Sequence, residues 1–155
     1  MDKVRPKSCF IFVGTINRRL VMAVLFSEEW MNQLKDEWNA SEEVRGKLAE
    51  IKFSSTIACG FKGDGTPTGI FVVENGECVK AGDYSGESVD WDMRADKKNW
   101  MKWLDKPLGM ASMGMAVTMG KLKFETGDFG AMIKDPRMAT PFVKSFALMG
   151  AIGGE

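Results

Sequence analysis

No histidine occurs anywhere in the chain. With it go Ser-His-Asp and Cys-His nucleophile pairs, His-containing zinc sites and imidazole acid–base catalysis. Cysteine is scarce: Cys9, Cys59 and Cys78 are odd in number, widely spaced and free of any C-x-x-C pair. They suit neither a disulfide framework nor a zinc ribbon, so a reducing, cytoplasmic setting is expected, with Cys59 and Cys78 serving as small buried hydrophobes. Charge of one sign is also missing, since 21 basic residues balance 21 acidic ones. Global charge thus argues for no nucleic-acid partner and no strongly anionic surface. No apolar run reaches the ~18 residues of a membrane span. No glycine-rich phosphate loop or calcium loop is present, so neither a metal nor another cofactor is expected.

What is present fits one globular domain: 155 residues, 45% hydrophobic and 27% charged. The first 26 residues stand apart, with Lys3, Arg5, Lys7, Arg18 and Arg19 against Asp2 alone. Arg18-Arg19 breaks the apolar core that a secretory signal would need. Residues 1–21 therefore read as an extension outside the fold, with Met22 opening a stretch that reads as a start of the folded unit. The domain itself is drawn over residues 26–152, with 1–25 outside it.

Ser27 followed by Glu28-Glu29 is a helix start, a hydroxyl cap with carboxylates facing the dipole. Trp30, Met31, Leu34 and Trp38 then form a stripe reaching Asn39. Ser41 caps a second short helix over residues 42–50. From Ile51 the apolar period becomes two, and alternation to Phe61 predicts a half-buried strand. Residues 68–74 and 77–84 read as two more strands around the hairpin turn Asn75-Gly76. A fourth carries Val89, Trp91, Met93 and Ala95, completing an expected antiparallel meander. A helix after Asp96 presents Trp100, Met101 and Leu104. A fifth strand spans residues 121–126, with Leu122 and Phe124 inward. A short helix ending at Pro136 and a last one over residues 137–152 follow. Asp90 and Asp92, two apart on one strand, read as a solvated sheet face, not as acid–base or cation-binding partners.

Two segments are apolar beyond the needs of a surface helix. Residues 108–119 carry no charge and offer Met110, Met113 and Val117 on one face, with Met115 and Met119 elsewhere around the axis. Such a helix is expected to be buried on several sides. The final helix offers Met138, Phe142, Phe146 and Met149. Methionine is flexible and polarizable, so it suits an adaptable apolar pocket as well as a plain core.

Several stretches resemble the sterol-carrier-protein (type two) family: Phe26-Ser27-Glu28-Glu29-Trp30, Asn39, Ile51-Lys52-Phe53, Asn99-Trp100 and Gly120-Lys121-Leu122-Lys123-Phe124-Glu125-Thr126-Gly127-Asp128. The last run is similar to that family's Gly-Lys-Leu-Lys-x-x-Gly-Asp signature. The resemblance covers about residues 26–152. It implies an α+β fold, a five-stranded mainly antiparallel sheet with helices on one face, enclosing a hydrophobic lipid cavity. It also implies non-catalytic binding or transfer of fatty acids, fatty acyl-CoA, sterol-like ligands or phospholipids. The terminal Gly153-Gly154-Glu155 departs from a peroxisomal Ser-Lys-Leu address. The residues expected to meet the ligand are Trp91, Met101, Leu104, Met110, Met113, Val117, Phe124, Phe142, Phe146 and Met149. Lys121, Lys123 and Arg94 are candidates for a polar headgroup. The expected partners are a lipid, with a transient membrane contact and a homodimer allowed. The competing reading is a dimerisation or interaction module whose C-terminal helix covers a neighbour's groove.

Overall fold

A computed structural model describes residues 23–155; residues 1–21, read above as an extension, lie outside the described part. The first helix, α1 (Glu28–Ala40), starts where its chemistry requires, the Ser27 hydroxyl accepting from the Trp30 amide at 3.3 Å. Its buried stripe is Trp30, Met31, Leu34 and Trp38. Ser41 caps the next amides, and a wide turn (Glu42–Gly46) runs into the short α2 (Lys47–Glu50).

Five strands follow: β1 (Ser55–Phe61), β2 (Gly69–Glu74), β3 (Glu77–Asp83), β4 (Trp91–Ala95) and β5 (Lys123–Thr126). The helices between and after them are α3 (Lys97–Asp105), α4 (Met110–Thr118), α5 (Phe129–Ile133) and α6 (Pro136–Ile152). Pro136 therefore opens the last helix as well as closing the gap after α5. Asp135 caps it by accepting from the Arg137 amide, and a proline early in the first turn wastes no backbone bond.

The sheet order is β3-β2-β1-β4-β5. Pairing is antiparallel except between β1 and β4, where Ile57 lies beside Trp91 and Cys59 beside Met93 in parallel. The simple meander expected from the sequence is thus corrected at one step. The connection over residues 84–90 exceeds the two to five residues of a hairpin loop. It carries the chain past β2 and β1 to the far side of the sheet. The Asn75-Gly76 hairpin forms as expected, with φ of 51° and 87°. A side chain at Gly76 would lie 2.4 Å from the Ala49 amide nitrogen, so this turn also seats α2.

One sheet face carries Ile57, Cys59, Phe71, Val73, Met93 and Ala95 into a single core shared with the helices. Helix α1 lies along β3 and β2, and α6 packs on α1, α2, α3 and α5. Three buried indoles find acceptors for their N–H groups, as burial requires. Trp30 donates to the Gly153 carbonyl, Trp38 to Gly76 and Trp100 to Gly60. Asn39 exchanges two hydrogen bonds with the backbone of Cys78, at 2.8 and 2.9 Å, and so extends the pairing of edge strand β3.

The opposite face departs from the solvated surface expected for Asp92, and takes in the headgroup candidate Arg94 as well. Both are buried, and they form a bidentate ion pair at 2.6 and 3.0 Å. Arg94 also donates to the Asp64 carbonyl, because the connection from β1 to β2 folds back over this face. Asp90 accepts from the Thr56 amide and is likewise a structural group.

Ala23 and Leu25 are buried, and their backbone exchanges two bonds with Glu155. These bonds fasten residues 23–25 to the C-terminus. Among the described residues no helix is long and apolar enough to cross a membrane.

Candidate functional site

Between the sheet and the C-terminal helices lies an apolar cavity of about 40 Å³. Every side chain around it is apolar or an indole: Trp38, Leu48, Phe53, Ile57, Trp91, Met93, Met132, Met138 and Phe142. Trp38 spends its N–H on Gly76, at 2.9 Å, leaving a hydrocarbon surface toward the cavity. Among the described residues no ionisable group lines this space. What the lining offers a guest is apolar surface and aromatic rings.

Topology brings the lining together. The parallel pairing of β1 with β4 sets Ile57 beside Trp91, while α6 lays Met138 and Phe142 one turn apart over them. Gly127 makes room for the Trp91 ring: a Cβ there would sit 2.3 Å from Trp91 Cε3, and φ is +108°. Asp128 then caps α5 by accepting from the Ala131 amide at 2.9 Å. The Gly-Asp pair of the signature run therefore has two physical duties, clearing the cavity wall and starting the helix that brings Met132 to it.

Of the ten residues expected to meet a ligand, Trp91 and Phe142 line the cavity. Phe124 stands directly behind them, its ring 5.9 Å from Trp91 and 6.1 Å from Phe142. Phe146 backs Phe142 at 5.6 Å. Leu104, Met113 and Met149 are buried in the common core, with Met101 and Val117 half-buried against it. Met110 is 45% exposed and faces away from the interior. The expectation that residues 108–119 would be buried on several sides is corrected, since Met115 and Met119 are 62% and 60% exposed. Helix α4 has only one covered side, that of Met113 and Ala116.

Seven lining residues were not among the ten expected to meet a ligand. Met138 carried a signal, lying four residues before Phe142, and Met93 shared the inward alternation of Trp91. Trp38, Leu48 and Phe53 needed knowledge of where α1 and α2 dock. The headgroup candidates do not gather at the cavity. Arg94 is committed to Asp92, Lys123 pairs with Glu125 at 3.3 Å, and Lys121 lies on outer grooves.

The space is far below the ~300–1,000 Å³ of a ligand pocket, so the lipid-sized volume implied by the resemblance is largely filled by these side chains. The architecture nevertheless defines a class: this five-stranded α+β sheet with helices over one face is a fold shared with solved sterol carrier protein structures. The crystal structure of sterol carrier protein 2 matches with a TM-score of 0.65 and 22% identity, over 81% of this chain and 97% of that one. A conserved hypothetical protein of Thermus thermophilus, described as a candidate sterol carrier protein, matches with a TM-score of 0.59 at 22% identity, over 84% and 91% of the two chains. A ubiquinone synthesis protein, UbiJ-SCP2, matches with a TM-score of 0.51 at 14% identity, over 90% and 94%. No family model and no curated protein matches the sequence.

Proposed function

We propose that this protein binds lipids in the apolar cavity and passes them on chemically unchanged. The observation that carries the reading is the wholly apolar lining, set between sheet and helices of a sterol-carrier fold. Such a lining accepts hydrocarbon and offers no nucleophile, acid or base to act on it. The candidate ligands are fatty acids, fatty acyl-CoA, sterol-like molecules and phospholipids. A single flexible acyl chain is favoured. A space of about 40 Å³ holds only about three water-sized groups, so a ligand enters by displacing Met132, Met138 and Phe142. Flexible methionines yield to a thin chain more readily than to a rigid ring system.

Energetics favour exchange over permanent capture. Twelve buried methylenes gain about 10 kcal/mol at ~0.8 kcal/mol each. Association costs on the order of 4–15 kcal/mol, and parting the side chains costs more. Cys59 and Cys78 are free and buried, which supports a reducing, cytoplasmic setting.

Displacement of a fluorescent fatty acid by unlabelled competitors, joined to mass spectrometry of lipid copurifying with the protein, tests the reading. Saturable, competable binding is expected. A folded protein that neither takes up the probe nor retains any lipid would overturn it.

A further inference from the structure

Over residues 107–120 the chain carries no charged residue, yet half of this stretch faces outward. Met110, Met115 and Met119 are 45%, 62% and 60% exposed. Met115 and the C-cap Met119 stand together on the wall of one groove and form an exposed apolar patch of the kind that marks an interaction surface. Lysines surround them. One groove of about 520 Å³ beside α4 is lined by Lys102, Lys106 and Lys121 together with Met115 and Met119, and among the described residues no carboxylate lines it. The adjoining groove, about 590 Å³, adds Lys62 and Lys98 around Met119, with Asp96 its single acidic residue among those described. All five lysines are exposed, and none is paired with a carboxylate among the described residues. The chain is neutral as a whole, so this concentration of positive charge is a local feature.

We propose that α4 and its ring of lysines form a docking surface for an anionic lipid membrane. Methionines at the tip reach the boundary between headgroups and acyl chains, while the lysines around them meet lipid phosphates. Charge complementarity selects this occupant. A second copy would bring the same lysine ring against the first and repel it. The first 22 residues of the chain, with five basic residues and one acidic, carry the same sign as the patch. The surface also connects to the candidate site. Trp103, in the wall of the first groove, lies 6.5 Å from Phe146, whose ring is 5.6 Å from cavity-lining Phe142. The inference goes beyond ligand binding and stands whatever the cavity holds.

Vesicle flotation of the full chain tests it. Vesicles of phosphatidylcholine alone are compared with vesicles that also contain phosphatidylglycerol. Binding to the anionic vesicles is expected, weakening as salt rises. Each lysine near an anionic surface contributes about a five-fold effect, so Lys98→Gln/Lys102→Gln/Lys106→Gln should lower affinity roughly a hundred-fold. Met115→Ser/Met119→Ser should lower it about ten-fold or more while leaving the salt dependence in place. Both variants change exposed side chains outside the cavity and should bind a fluorescent fatty acid, and yield it to unlabelled competitors, as the parent does. That readout separates the surface from the cargo site. Equal binding to both vesicle types, or variants that float like the parent, would overturn the proposal. So would a dimer by size-exclusion mass that the methionine variant converts to monomer, since the face would then belong to self-association.

Discussion

At the scale of single residues, the most consequential group is the one whose surroundings reversed its expected role. Asp92 and Arg94 alternate with apolar neighbours as solvated strand residues do, yet they are buried as a bidentate pair under the β1–β2 connection. Arg94 is held more firmly in its charged form chiefly by its hydrogen bonds to Asp92. Removing one partner strands the other charge in a dry place. Asp92→Asn should therefore cost about 3–5 kcal/mol in urea denaturation, whereas an apolar replacement of both residues should cost less. An Asp92→Asn protein as stable as the parent would mean that water reaches the pair. Cys78 supplies a second residue-scale prediction. Burial pushes its thiol up to about 11 from an ordinary value of 9.0. Above about pH 9 the unfolded chain releases this proton while the folded one keeps it, so stability falls as pH rises. The slope from this group approaches ~1.4 kcal/mol per pH unit. Melting temperature should consequently fall faster with alkaline pH in the parent than in Cys78→Ala.

At the scale of elements, local chemistry and periodicity account for most of what forms. The Ser27 cap, the α1 stripe and the Asn75-Gly76 turn occur where their residues place them, and all five strands form, although β1 begins at Ser55 instead of Ile51 and is buried on both faces over residues 57–60. Each depends on neighbours within a few positions, which a linear sequence displays. The packing of elements depends on distant contacts. Gly127 illustrates this: in sequence it is a turn glycine after a strand, and only the fold puts it against Trp91. Gly127→Ala should push the ring off its seat and strain a backbone at φ +108°. A loss of about 1–3 kcal/mol is expected by thermal denaturation, accompanied by a change in indole fluorescence. Full retention of both signals would show that the loop shifts freely. Helix α4 is the converse case. Its composition pointed inward, but α6 and the sheet leave it only one buried side, and no count of apolar residues reveals how many neighbours a helix will have.

At the scale of the whole molecule, the core and the candidate site are one continuous apolar body in which the cavity is a small defect. Phe142 sits where the two meet, bounded by Phe124 at 6.1 Å and Phe146 at 5.6 Å. Phe142→Asp would place an unpaired carboxylate against a hydrocarbon lining. Fatty-acid affinity should fall at least ten-fold, read by probe displacement on protein whose circular dichroism is unchanged. If the variant fails to fold, Phe142→Ser carries the same test at lower cost to packing. Undiminished affinity in either folded variant would take α6 out of the ligand's path.

The sequence by itself determined the absence of imidazole chemistry, the positions of most helices and strands, and the sterol-carrier resemblance. These follow from composition and from short-range patterns, which are complete in one dimension. Tertiary structure alone decided that β4 joins β1 in parallel, that Asp92 and Arg94 are inside, that Met115 and Met119 are outside, and how little space remains near Phe142. Each of these is set by surfaces meeting from remote parts of the chain. Side-chain type constrains such meetings without specifying them, because the same hydrophobic residue can fill a void, line it or face water.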